Sequence, residues 1–148
     1  MVRELRAVIP YLSYSGNTEE VAVLIADTLT KNNVSNTFHR IGIDMPIDPQ
    51  ANDFIFLGTF TWETGSTPEE VKDFILEVGC KPTHVAVFGT GDTQFGGDDL
   101  FCSAVDKLCR FYQSPWDGLK VEQSPRGSQE HLVRQWTEGV LYHAKVFT

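Results

Sequence analysis

Apolar runs of strand length alternate with amphipathic helical stretches along this chain, and that alternation limits the possible folds more than any single motif. Residues 7–12 form an apolar run. A polar segment follows, and then Val21, Leu24, Ile25, Thr28 and Leu29 recur at helical spacing up to Lys31. A weaker strand at 37–43 leads through a Pro-containing link at 44–52, too short for a crossover helix, into Phe54, Ile55, Phe56 and Leu57, an apolar strand ending at Gly58. Thr67 as N-cap, Pro68 at the first helical position and Glu70 as capping-box partner predict a helix lined by Val71, Phe74, Ile75 and Val78. A strand at 84–88 and a loop at 89–97 come next. Asp98 or Asp99 then opens a helix bearing Phe101, Val105, Leu108 and Tyr112, before a short strand at 119–122 and a last helix capped by Ser128. This order predicts one α/β domain over 1–148, with five parallel strands in a doubly wound sandwich and helices on both faces. Pro10 has no donor for a ladder, so a bulge or a locally unpaired position is expected within the first strand.

With 148 residues, 41% of them hydrophobic, the chain can build a core without staples. Cys80, Cys102 and Cys109 contain no C-x-x-C pair, and His39, His84, His131 and His143 lack metal-ligand spacing, so neither a disulfide framework nor a metal site is expected. A net charge of −8 argues against nucleic acid or an anionic membrane and favours a basic partner. No stretch approaches the roughly 20 apolar residues of a membrane span, and the first residues lack the apolar centre of a secretion signal. A cytoplasmic protein is the expectation.

Ligands of open α/β sheets bind outside the carboxyl ends of the strands, which directs attention to the loops at 13–18, 59–66 and 89–97. The first consists of Ser13, Tyr14, Ser15, Gly16, Asn17 and Thr18. It joins hydroxyls to a glycine that permits close backbone approach, with a helix N-terminus behind it. One phosphate monoester held by amides and hydroxyls accounts for this segment, and so does Asn17 or Thr18 acting only as a helix cap. The second loop carries Phe60, Thr61 and Trp62, and the third Thr90, Gly91, Asp92 and Phe95. A lone loop aromatic usually packs on its own domain, but aromatics on two converging loops can clamp a flat ring while Asp92 bonds its polar edge. Ring and single phosphate together suggest a mononucleotide, and no G-x-G-x-x-G follows a strand to suggest a dinucleotide.

At these three loops the chain resembles the flavodoxins. Ser13 to Thr18 followed by Glu19 is similar to their phosphate loop. Gly58, Thr59, Phe60, Thr61 and Trp62 are similar to their first ring loop. Gly89 to Asp92 with Phe95, then Phe101 to Asp106, are similar to their second. The resemblance implies the strand order 2-1-3-4-5 and non-covalent FMN. Its phosphate would lie in the first loop, with Trp62 and Phe95 against the ring faces and Asp92 near the pyrimidine edge. Phe60, Thr61 and Thr90 would contribute mostly backbone, and Cys102 would approach the ring through its main chain. The chain departs from the family pattern in three places. Phe95 stands where tyrosine is usual, and the segment 95–101 is longer than in many short-chain members. Glu63 also replaces the usual glycine after Trp62, so the turn costs about 1 kcal/mol if φ becomes positive. Weaker stabilisation of one-electron-reduced flavin is therefore expected than is usual in the family.

The implied role is electron shuttling from a flavin- or NADPH-dependent reductase to a redox acceptor protein, by a monomer whose acidic rim meets basic docking surfaces. Residues Gly91 to Gly96, Tyr112 to Pro115 and Val121-Glu122 also resemble the flavodoxin-like activator of class Ib (dimanganese) ribonucleotide reductase. An FMN-dependent NAD(P)H:quinone reductase is the enzyme alternative, but Trp62 would obstruct a nicotinamide over the ring. A phosphatase or receiver domain is disfavoured. The first loop has no cysteine and arginine pair, and the third strand ends in Gly58-Thr59 without a phosphorylatable aspartate.

Overall fold

A computed structural model describes residues 5–14, 16–60, 67–79, 81–91, 102–122 and 125–147. Its strands β1 (Arg6–Tyr11), β2 (Ser35–Arg40), β3 (Phe54–Phe60), β4 (Val85–Gly91) and β5 (Leu119–Glu122) form one sheet in the order β2-β1-β3-β4-β5. Every neighbouring pair is parallel. Among the described residues the helices are α1 (Asn17–Lys31), α2 (Glu69–Val78), α3 (Ser103–Tyr112) and α4 (Ser128–Phe147), with a short 3-10 turn at Pro49–Ala51. The doubly wound five-stranded reading therefore holds.

Strand alternation sorts the core into two layers. Ile9, Phe54, Phe56, Ala86, Phe88 and Val121 face α1 and α4, whose Val21, Ile25, Leu29, Val133 and Val140 cover them. Val8, Ile55, Leu57, Val85 and Val87 face the other way, toward Val71 and Phe74 of α2 and Val105 and Leu108 of α3. Parallel strands buried on both faces read as unbroken apolar runs, which is why the third and fourth strands were recognisable.

Pro10 does interrupt the ladder. Pairing of β1 with β3 holds at Ala7↔Phe54 and Val8↔Ile55 and resumes in unchanged register at Tyr11↔Gly58, while pairing with β2 runs on through Pro10↔His39. The outcome is an unpaired position and not a bulge, because the missing amide is the one that would face β3. Other boundaries differ from expectation. The second strand begins two residues earlier and ends at Arg40, where the chain turns so that Ile43 and Asp44 donate their amides to the Arg40 carbonyl. Strands β3 and β4 run past Gly58 and Phe88 to Phe60 and Gly91. Pro68, not Thr67, is the N-cap of α2 and makes no side-chain cap bond; its carbonyl accepts from the Val71 and Lys72 amides instead. Helix α3 starts at Ser103, since Cys102 before it is left-handed (φ 51°) and a helix cannot run through that conformation; Asp98 and Asp99 lie outside the described residues. Ser128 is already the first residue of α4, preceded by Gly127 at φ 55°.

Candidate functional site

The sheet order reverses between β1 and its two neighbours, so the chain leaves β1 and β3 toward opposite faces and a crevice opens at their carboxyl ends. Ser13 and Tyr14 leave β1 there. Gly16 is held at φ 93°, a conformation that a residue with a Cβ adopts only at a cost, and a Cβ placed on it would meet nothing within 4 Å. The space beside the loop is open. Ser13 Oγ accepts the Gly16 amide hydrogen at 3.1 Å and closes the turn from inside. The first helical bond of α1 runs from the Glu20 amide to the Gly16 carbonyl, which leaves the Asn17, Thr18 and Glu19 amides with no acceptor inside the helix. Gly16, as N-cap, offers no side-chain acceptor either. These amides carry the positive end of the helix dipole into the mouth of the crevice.

The ends of β3 and β4 form the adjoining wall. Phe60 pairs in register with Thr90, and the Thr59 hydroxyl donates to the Phe60 carbonyl at 2.8 Å. Tyr14, 62% exposed, packs on Phe60 with ring centroids 5.1 Å apart, so an aromatic surface extends from the first loop to the second. Thr18 and Thr90 are both buried and share a hydroxyl–hydroxyl bond of 2.8 Å. Gly91 closes β4, half-buried. Cys102 sits behind this wall, fully buried, its Sγ 3.8 Å from the Gly89 carbonyl oxygen. Burial pushes its thiol up to about 12, so it is a protonated packing group at neutral pH and not a nucleophile. Ser13, Tyr14, Gly16, Asn17, Thr18, Phe60, Thr90 and Gly91 thus meet at one end of the sheet, with Cys102 beneath them. Ser15, Thr61, Trp62, Glu63, Asp92 and Phe95 lie outside the described residues. The Thr18–Thr90 bond was not anticipated, although the signal was present: Thr18 precedes Val21, Ala22 and Ile25 on the inward helix face, and Thr90 continues the alternation of Ala86 and Phe88.

A family model for flavodoxin matches residues 9–114, well over half of the chain. The chain belongs to the flavodoxin family. "Probable flavodoxin 1" of Bacillus subtilis (strain 168) is 33% identical over 92% of this chain and 90% of its own length. Among solved structures, a short-chain flavodoxin associated with a non-canonical PDU bacterial microcompartment superimposes with a TM-score of 0.84 at 27% identity, covering 95% of this chain and 99% of that one. Flavodoxin 1 from Bacillus cereus, in its oxidised form, gives a TM-score of 0.81 at 27% identity over 93% of this chain and 98% of the other. Flavodoxins bind FMN and carry electrons to redox partners; they are not enzymes with a substrate of their own. The geometry fits that cofactor. Open space beside a left-handed glycine and a fan of amides without helical acceptors suit a phosphate monoester, and a wall bearing Tyr14 and Phe60 suits a planar ring nearby. Among the described residues no group of histidine, cysteine and carboxylate side chains could hold a metal ion, and no helix is long and apolar enough to cross a membrane.

Proposed function

We propose that this flavodoxin folds as one domain and shuttles low-potential electrons from a flavin- or NADPH-dependent reductase to an acceptor protein, using FMN held at the carboxyl ends of β1, β3 and β4. The observation that carries this reading is the open amide end of α1 behind Gly16, aimed into the crevice at which the aromatic-bearing strand ends converge. FMN supplies the redox chemistry, accepting and returning electrons one or two at a time. The chain's own residues bind and orient. The amides of Asn17, Thr18 and Glu19, with the hydroxyls of Ser13 and Ser15, hold the phosphate beside Gly16 without any cationic side chain, because neither lysine nor arginine occurs in residues 13–18. Trp62 and Phe95 cover the ring faces, while the backbone of Phe60, Thr61 and Thr90, together with Glu63, Gly91 and Asp92, lines its edge, the Thr90 side chain being turned toward Thr18. A net charge of −8 makes basic docking surfaces on both partners the favoured complement, and contacts with them need only be brief. A monomer in the cytoplasm suits this role.

The test is a titration of flavin-free protein with FMN and, separately, with riboflavin, followed by quenching of flavin fluorescence. One equivalent of FMN bound far more tightly than riboflavin is the expected outcome, since only FMN engages the helix amides. No uptake of either flavin would overturn the assignment.

A further inference from the structure

Helical periodicity puts Thr18 on the inward face of α1, in line with Val21, Ala22, Ile25 and Leu29, although it lies in the turn that presents amides to the crevice. Its hydroxyl therefore points at the sheet and not along the loop, and Thr18 is only 1% exposed. A hydroxyl buried there must find a partner or weaken the fold. The partner is Thr90, whose backbone lies between Phe60 of β3 and Val121 of β5 in the sheet register. Thr90 thus stands where the phosphate-side helix meets the ring-side strands.

We propose that the Thr18–Thr90 hydroxyl bond holds the amide end of α1 in register with the ends of β3 and β4, so that Thr90 is a positioning residue for the phosphate although it belongs to the ring side of the site. The inference rests on the FMN reading above and deepens it. A ligand spanning both halves needs their spacing fixed; a ligand confined to the ring half does not. The register of β4 with its neighbours does not depend on this bond, so loss of the bond frees the helix end and leaves the ring wall in place. The Tyr14–Phe60 contact between the same two halves lies at the exposed rim and cannot substitute for a buried tie.

The experiment compares Thr90→Val, Thr18→Val, the double variant and Thr90→Ser. Flavin-free forms are titrated with FMN and with riboflavin, and their thermal unfolding is recorded. The expected result for Thr90→Val is FMN binding weakened roughly fivefold or more, as for loss of one buried hydroxyl bond, with riboflavin binding unchanged within about twofold. Thr90→Ser restores FMN binding. The double variant is no weaker than the worse single one, because both remove the same bond and two apolar groups can pack in its place. Thr90→Ala repeats the measurement should the branched side chain prevent folding. Unchanged FMN binding in Thr90→Val, or equal losses for FMN and riboflavin, would overturn the tie. Equal losses would mark Thr90 as a ring contact or a general structural residue. An effect confined to Thr18→Val would make Thr18 a direct phosphate ligand, again against the tie. Failure of the unaltered protein to bind FMN at all would remove the flavin reading, and this inference with it.

Discussion

Gly58 shows how a single residue can be misread from sequence and still decide packing. A glycine after Phe54 to Leu57 looks like the end of a strand, yet β3 continues through it, because any Cβ at that position would collide with the ring of Phe88, itself fully buried. Gly58→Ala is expected to destabilise the fold by about 1–3 kcal/mol, as overpacking of a tight core does, and denaturant unfolding would measure it. His39 supplies a residue-scale prediction of another kind. It is buried on β2, 5.5 Å from the ring of Phe74 between centroids, and burial lowers its pKa. Asp44, Glu77 and the Met45 backbone act in the opposite direction without overcoming that burial. The unfolded chain therefore takes up a proton near pH 6.5 while the folded one resists it, so stability falls as pH drops below about 6.5 and levels only once His39 protonates within the fold. Unfolding followed from pH 8 to pH 5 should show this loss, and His39→Phe should flatten it. An equal slope in that variant would place the effect elsewhere.

The elements themselves were largely legible because the central strands β1, β3 and β4 are covered on both faces and each helix on one. Their ends were not legible, since ends depend on contacts distant in sequence. Strand β2 illustrates the point: it is an edge strand with few apolar residues, and its limit at Arg40 is set by a turn whose Asp44 carboxylate accepts the Arg40 amide hydrogen at 2.7 Å and the guanidinium at 2.9 Å. That carboxylate caps part of the free edge, and the Arg40 guanidinium holds its pKa below the usual range. Amide exchange at Arg40 should accelerate in Asp44→Ala with little change in overall stability, because the pair is exposed. Unaltered exchange would mean that the amide is protected by something else. The segment 13–18 was legible as a loop running into a helix N-terminus, but the orientation of Thr18 at its end was not. Thr18 turns inward because of the helix period, and its partner lies 72 positions away on a strand, a separation no local motif records.

At the scale of the whole molecule, the strand order could be stated in advance only through resemblance; alternation alone predicted parallel strands and left their sequence across the sheet open. What the order achieves is to bring the carboxyl ends of β1, β3 and β4, far apart in sequence, side by side at one end of the sheet. Net charge acts at the same scale. With −8 charges on a chain of this size, attraction to a basic reductase should be long-ranged, and the second-order rate of reduction should fall as salt rises from about 10 mM to about 300 mM, where the screening length shrinks to a few ångströms. A rate indifferent to salt would mean that docking is governed by apolar contact.

The ring of Phe88 lying over Gly58 also bears on how such a protein can change over generations. A side chain at 58 fits only if the ring at 88 gives way, so the two positions are coupled: a lineage that acquires a residue larger than glycine at 58 recovers stability by shrinking the residue at 88, and a designer who grafts β3 into a relative does best to carry β4 with it.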